Sequence, residues 1–175
     1  MSMIATHHPF SVPHYPIGQP SSSAREHLLI TQDDGQAMLA ARSRELPQVR
    51  CKHLALPDYG TQAALQLALG QYLKSARVGL RLELCGDEAF VWPLHTIARG
   101  AGLQHDEIIL NSCAGSIRRV FCVHCATCQL ADAASQLTCC RCGVVLEVRQ
   151  HFSRHLGAYL GVCADADQPR GELQP

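Results

Sequence analysis

An α/β chain in two parts is predicted, a small parallel sheet with crossover helices followed by a compact cysteine-held module, and three observations predict it. Between residues 27 and 110, short apolar or alternating runs take turns with helical stretches, giving strand, helix, strand, helix, strand, helix, strand. Beyond residue 118 come two C-x-x-C pairs, Cys122 with Cys125 and Cys139 with Cys142, with the 13 residues 126–138 between them. A hydrophobic fraction of 47% in 175 residues suits one globular core plus a small module. The expected boundaries are a disordered tail over 1–23, an α/β domain over 24–117, a cysteine-rich domain over 118–165 and a C-terminal tail over 166–175.

The first 23 residues are dominated by His, Pro and Ser and show no apolar period, so they read as a solvated tail. His27–Thr31 is a short apolar run, read as a buried strand. Gln36–Leu46 carries Met38, Leu39 and Ala40 followed by charges and reads as a helix. Val49–Leu56 is a second strand, stopped by Pro57. Thr61–Ala76 is the clearest helix, with Leu65, Leu69, Tyr72 and Leu73 along one face and Lys74 and Arg77 at the end where positive charge suits the dipole. Val78–Cys85 alternates and reads as a third strand. Asp87 is a suitable N-cap for a helix over Glu88–Gly100, with Gly102 at its exit. Pro93 inside that helix removes one hydrogen bond and is expected to kink or restart it. Glu107–Leu110 is the fourth strand.

The stretch Arg118–Arg154 holds six of the ten cysteines. A tetrahedral Zn²⁺ takes four thiolates, and each C-x-x-C turn offers two from one short loop. Gly143 lets the second turn close tightly. Strands are expected at Arg119–Val123 and Val144–Val148, so knuckle and strand alternate as in a zinc ribbon. The metal ligands read from the pattern are Cys122, Cys125, Cys139 and Cys142, the set that gives two clean knuckles. Cys128 and Cys140 are then spare thiols near the site, and His124 a solvent-facing loop histidine. Cys51, Cys85, Cys113 and Cys163 sit among apolar neighbours and read as buried free thiols. His151 and His155, four apart, could share a helix face, where packing or surface outweighs chelation. Arg118, Arg119, Arg141, Arg149 and Arg154 read as a solvated face or as a docking surface for an acidic partner.

Several classes of function are disfavoured. Fifteen basic and fifteen acidic residues cancel, so no general attraction to nucleic acid or acidic lipid is expected. No apolar run reaches the roughly 20 residues that span a bilayer. The N-terminus lacks a signal-peptide layout, and paired C-x-x-C in an unexported chain favours metal over disulfides, so the expected location is cytoplasmic. The first strand–helix turn, Thr31-Gln32-Asp33-Asp34-Gly35, has one glycine and two carboxylates where a pyrophosphate would need glycines and backbone N–H groups. No G-x-S-x-G or H-E-x-x-H motif is present, and no catalytic residues are assigned.

Two stretches resemble known families. Cys85-Gly86-Asp87-Glu88-Ala89-Phe90, within Leu82–Gly102, resembles the last strand-turn-helix of ferredoxin-reductase NAD modules, which carry a C-G-P-E-x-F turn; Asp87 replaces the proline. Phe121-Cys122-Val123-His124-Cys125, then Cys139–Gly143, then Val148 with His151-Phe152-Ser153-Arg154, then Gly161-Val162 with Asp165-Ala166, is similar to the C-terminal domain of the dimethylamine monooxygenase small-subunit family. The resemblance runs over Gly79–Pro169. It implies a degenerate reductase-like NAD module ahead of the ribbon. It also implies membership of a multi-component, NADPH- and O₂-dependent enzyme that N-demethylates a small secondary amine. The implied partners are a haem-containing oxygenase subunit and a flavin (FMN) and iron–sulfur reductase subunit, with those cofactors on the partners. The same four cysteines carry over as metal ligands, and the HFSR segment is expected to fold back onto the ribbon or to dock.

The expected function is therefore a non-catalytic docking subunit carrying structural zinc. One alternative is a rubredoxin-like Fe(Cys)₄ electron carrier between the partners. The other is a zinc-ribbon nucleic-acid adaptor, which neutral charge and a 5% aromatic content disfavour.

Overall fold

The computed structural model describes residues 13, 15, 24–112, 117–132, 134–167 and 169. The expected tail over 1–23 lies outside them except for Pro13 and Tyr15, as do Cys113 and most of the C-terminal tail. The chain separates into two compact units, one over Tyr15–Gly115 and one containing Ser116–Pro175.

The first unit is α/β, as the alternation of patterns predicts. Its strands are β1 (Glu26–Thr31), β2 (Arg50–Ala55), β3 (Leu80–Gly86) and β4 (Ile108–Ser112). All pair in parallel in the order β2-β1-β3-β4. Helices α1 (Gln36–Glu45), α2 (Leu56–Tyr59), α3 (Gln62–Lys74) and α4 (Glu88–Gly100) lie in the crossovers. The expected third strand starts two residues late, because Val78 is 92% exposed and Gly79 has a φ of 97°. Pro57, expected to stop the second strand, does so by opening the single turn α2; in a helix's first turn proline costs nothing.

Right-handed crossovers put α3 and α4 on one face of the sheet and α1 on the other. The first face is apolar. Leu28, Ile30, Leu82 and Leu84 are fully buried there, as are Leu65 and Leu69 from α3 and Phe90, Val91 and Leu94 from α4. Each such side chain contributes roughly 1.5–3 kcal/mol. Both helices start on the side-chain caps their sequences offer: Thr61 accepts from the Ala64 N–H at 3.2 Å and Asp87 from the Phe90 N–H at 2.8 Å. Pro93 does not break α4, which runs unbroken over 13 residues. Proline at this position leaves the Ala89 carbonyl without its helical donor, and the Gln62 side-chain amide of α3 donates to it at 3.2 Å.

The α1 face mixes buried Leu29 and Cys85 with polar groups. Glu83, fully buried at the centre of β3, accepts from Arg42 Nε and Nη2 at 2.8 Å each, from Asn111 Nδ2 at 2.6 Å, and lies 2.9 Å from His27 Nε2. No residue of α1 is fully buried, so this bidentate ion pair, more than an apolar stripe, holds the helix to the sheet.

The second unit is a five-stranded sheet of β5 (Arg118–Cys122), β6 (Thr127–Ala131), β7 (Gln136–Thr138), β8 (Val145–Ser153) and β9 (Ala158–Cys163), ordered β6-β5-β9-β8-β7. β5 and β9 pair in parallel and the other neighbours antiparallel. Only β5 and β8 were expected. β6 and β7 run for only five and three residues, too short for a pattern of their own to mark them. β9 crosses so close to β5 that a Cβ at Gly161 would lie 2.9 Å from Val120.

The HFSR segment is not a helix. His151–Ser153 ends β8, past a bulge between Val148 and Phe152, and Arg154 and His155 lie in the turn. Phe152 folds inward and meets the Tyr159 ring edge-on at 5.0 Å. His151 and His155 therefore share no helix face, and both are exposed.

Candidate metal centre

The two C-x-x-C turns fold alike. Cys122 ends β5 and Cys125 sits in the turn to β6; Cys139 follows β7 and Cys142 sits in the turn to β8. The residue after each second cysteine takes a left-handed backbone, Ala126 at φ 56° and Gly143 at φ 71°. The N–H of that residue donates to the carbonyl of the first cysteine, Ala126 to Cys122 at 2.9 Å and Gly143 to Cys139 at 3.0 Å. A side chain at 143 would meet nothing within 4 Å, so conformation rather than space explains the glycine. Ala126 adopts the same conformation against its preference, at a cost of about 1 kcal/mol.

This geometry brings together the four sulfurs named from the sequence, all within 4.8 Å of one another. Cys122 and Cys142 lie 3.8 Å apart, and Cys125 and Cys139 3.6 Å. Four sulfurs at about 2.3 Å from a tetrahedral ion stand about 3.8 Å from each other, whereas a disulfide needs about 2.05 Å. The donor set therefore fits a Cys₄ metal and not two disulfides. Cys122 and Cys139 are buried, with Val144 and Leu146, at the centre of the module's core, and Cys125 and Cys142 stand half-buried around it.

The surroundings favour thiolates unequally. Burial pushes Cys122 up to about 12, against the pull of the His124 and Cys125 N–H groups. At Cys139 burial is outweighed by the Cys142 and Arg141 N–H groups, and the thiol lies below its ordinary value. The Thr127 hydroxyl holds Cys125 down at about 6, and Arg141 steadies that hydroxyl from 3.2 Å. Gln129 on β6 accepts from the Cys140 N–H at 2.8 Å and donates to the Thr138 carbonyl at 3.2 Å, bracing the second turn.

Thr127, Gln129 and the left-handed Ala126 were not singled out in the sequence. The one signal was positional: Ala126 stands where Gly143 stands in the other turn. Cys128, Cys140 and His124 are exposed and outside the cluster. Of the four isolated thiols, Cys85 is buried, Cys51 and Cys163 are half-buried, and Cys113 lies outside the described residues. Four of the five arginines bind their own module: Arg118 to the Ala134 carbonyl, Arg119 to the Gly157 carbonyl, Arg141 to Thr127 and Arg149 to Glu147.

Comparison with known proteins bears on this module first. The family described as "Dimethylamine monooxygenase subunit DmmA-like, C-terminal domain" matches residues 119–162, which hold all four clustered cysteines. Over its whole length the chain is 62% identical to the "Heme-dependent oxidative N-demethylase delta subunit" of Ectopseudomonas mendocina (strain ymp), covering 100% of both proteins. The chain belongs to the DmmA-like family of dimethylamine monooxygenase subunits. No solved structure matches it. The family match begins at β5, so the α/β unit is linked to the family through the full-length relative alone. Among the described residues, no helix is long and apolar enough to cross a membrane.

Proposed function

We propose that this chain is a non-catalytic subunit of a multi-component amine monooxygenase, one that N-demethylates a small secondary amine with O₂ and NADPH. The observation that carries this reading is the full-length identity to a protein named as the delta subunit of a haem-dependent oxidative N-demethylase. The chain docks a haem-containing oxygenase subunit and a flavin and iron–sulfur reductase subunit; haem, FMN and the iron–sulfur cluster reside on those partners. It acts in the cytoplasm and binds neither membrane nor nucleic acid. The ligands Cys122, Cys125, Cys139 and Cys142 hold zinc, which closes the module's core. The support for a structural role is that all four positions are taken by protein sulfur, which leaves no open position for substrate.

The test is co-expression with the haem and reductase subunits of the same assembly. The chain is expected to co-purify with them, and recovery only as a free protein would end the reading. Metal analysis on the same material is expected to give about one zinc per chain and no colour.

One observation favours a second reading, in which the site holds iron and relays electrons. N–H groups of His124, Cys125, Arg141, Cys142 and Val144 point at cysteine sulfurs, and such donors stabilise added negative charge. Thiolate-to-iron absorption that bleaches on reduction would establish it; zinc would remove it.

A further inference from the structure

The strand order of the α/β unit reverses between β1 and β3, where β2 lies to one side of β1 and β3 with β4 to the other. In open parallel sheets the crevice beyond the carboxyl ends of the strands at such a point is where ligands bind. Here it is a cleft of about 520 Å³, framed by the ends of β1, β3 and β4. That volume lies in the range of small-molecule sites.

The described lining does not suit phosphate. None of the described residues that line it is basic. At the start of α1, where a phosphate would sit, the chain has placed its own carboxylates: Asp33 Oδ1 accepts from the Gly35 N–H at 3.0 Å and Asp34 Oδ1 from the Gln36 N–H at 3.4 Å. Asp87 adds a third carboxylate at the start of α4, bound to Gln32 Nε2 at 2.9 Å.

What remains open is an apolar floor under a rim of acceptors. Met38, Cys85 and Leu110 make the floor, and burial pushes the Cys85 thiol up to about 12, so it stays neutral. Asn111 uses its amide hydrogens on Glu83 and Cys85, which leaves its carbonyl oxygen with no donor among the described residues. Tyr15 supplies an aromatic wall. Its hydroxyl is fixed by Trp92 Nε1 and Glu88, each at 2.8 Å. One amide oxygen without a donor, carboxylates paired with amide N–H groups and not with a basic side chain, sulfur and aliphatic carbon below and an aromatic ring beside together suit a ligand that brings N–H donors, positive charge and alkyl groups.

We propose that this cleft is a binding site for a small organic cation, a protonated alkylamine. The cationic character follows from the described lining; the choice of an alkylamine rests on the proposed role in an amine-oxidising assembly.

The full chain carries its own reporter, since Trp92 is the single tryptophan and is bonded to Tyr15. Calorimetry and tryptophan fluorescence are read while dimethylammonium chloride, benzylammonium chloride or NADP⁺ is added. Dimethylammonium, with three heavy atoms, is expected to saturate with a Kd on the order of millimolar, and benzylammonium about tenfold tighter. NADP⁺ is expected to give no saturable signal. Met38→Lys is expected to abolish amine binding and Met38→Leu to keep it. Should Met38→Lys fail to fold, the exposed Asp33→Asn substitution serves, with an expected loss of about fivefold. No saturation by either amine, tighter binding of NADP⁺, or amine binding untouched by both Met38→Lys and Asp33→Asn overturns the proposal. An assembly that forms normally around a chain that ignores amines ends this inference alone. Amine binding by a chain that recruits no haem subunit ends the subunit reading and leaves the cleft.

Discussion

The middle of the α/β unit is Leu28, Ile30, Leu82, Leu84, Leu65, Leu69 and Phe90, carbon packed on carbon, with one buried ion network on the opposite face of its sheet. In the cysteine module the corresponding place is taken by Cys122 and Cys139 beside Val144 and Leu146. The first core stabilises itself through the area it removes from water. The second surrounds four sulfurs whose mutual repulsion, once they are thiolates, is relieved only by a cation. The difference teaches that the two units respond to different insults. Chelation should strike one, while disruption of a buried carboxylate should strike the other.

The largest effect should come from the four clustered cysteines, the proposed metal ligands. Cys122→Ser or Cys139→Ser is expected to lose the metal and unfold the module, since binding to such sites is worth about 10–16 kcal/mol of folding free energy. Circular dichroism should then show a loss of strand signal while the α/β unit still melts cooperatively. A module that keeps its protection from hydrogen exchange after stoichiometric chelation would collapse the contrast between the units.

Next comes Glu83. Removing one partner of a buried pair leaves the other charge uncompensated, so Arg42→Ala should cost roughly 3–5 kcal/mol in denaturant unfolding and leave metal content unchanged. The acid dependence sharpens this. Burial alone would raise the Glu83 carboxyl, but hydrogen bonds from Arg42 and His27 outweigh it and hold the group at about 2, against an ordinary value of 4.5. A depressed folded value means the contribution is complete above pH 4.5 and is lost as pH falls from there through 2. The wild-type and Glu83→Gln proteins should therefore differ most above pH 4.5 and converge toward pH 2.

A smaller effect is expected at Gln62→Leu, which leaves the Ala89 carbonyl without a donor and should cost about 1–3 kcal/mol. Pro93→Ala restores the helical donor, so the same substitution in that background should cost less. A double-mutant cycle with no coupling would mean that Gln62 does not compensate the proline.

The smallest test lies within the module. Ala126→Gly should raise stability by about 0.5–1 kcal/mol, and Gly143→Ala should lower it by about 1 kcal/mol, because both positions are left-handed and only one has the residue that suits it.

The strand and helix alternation over 27–110 was legible because the apolar face of that sheet is made by local periodicity in β1, β3, α3 and α4. In α1 the periodicity is weak, and the helix is held by Arg42 reaching Glu83, forty-one residues away in sequence; no window over α1 contains that partner. In the ribbon, β6, β7 and β9 were missed because their strand character comes from partners across the sheet and not from their own residues.

By itself, then, the sequence determined the order of elements in the α/β unit, the caps at Thr61 and Asp87, and the four clustered cysteines. Each of these depends on residue type and short-range spacing. Tertiary structure alone decided the parallel union of β5 with β9, the rescue of Pro93 by Gln62, the Thr127 and Gln129 braces around the sulfurs, and the cleft at the ends of β1, β3 and β4. In each of these, groups apart in the chain meet through packing, and whether a buried carbonyl, sulfur or carboxylate finds its partner is settled only when the layers close.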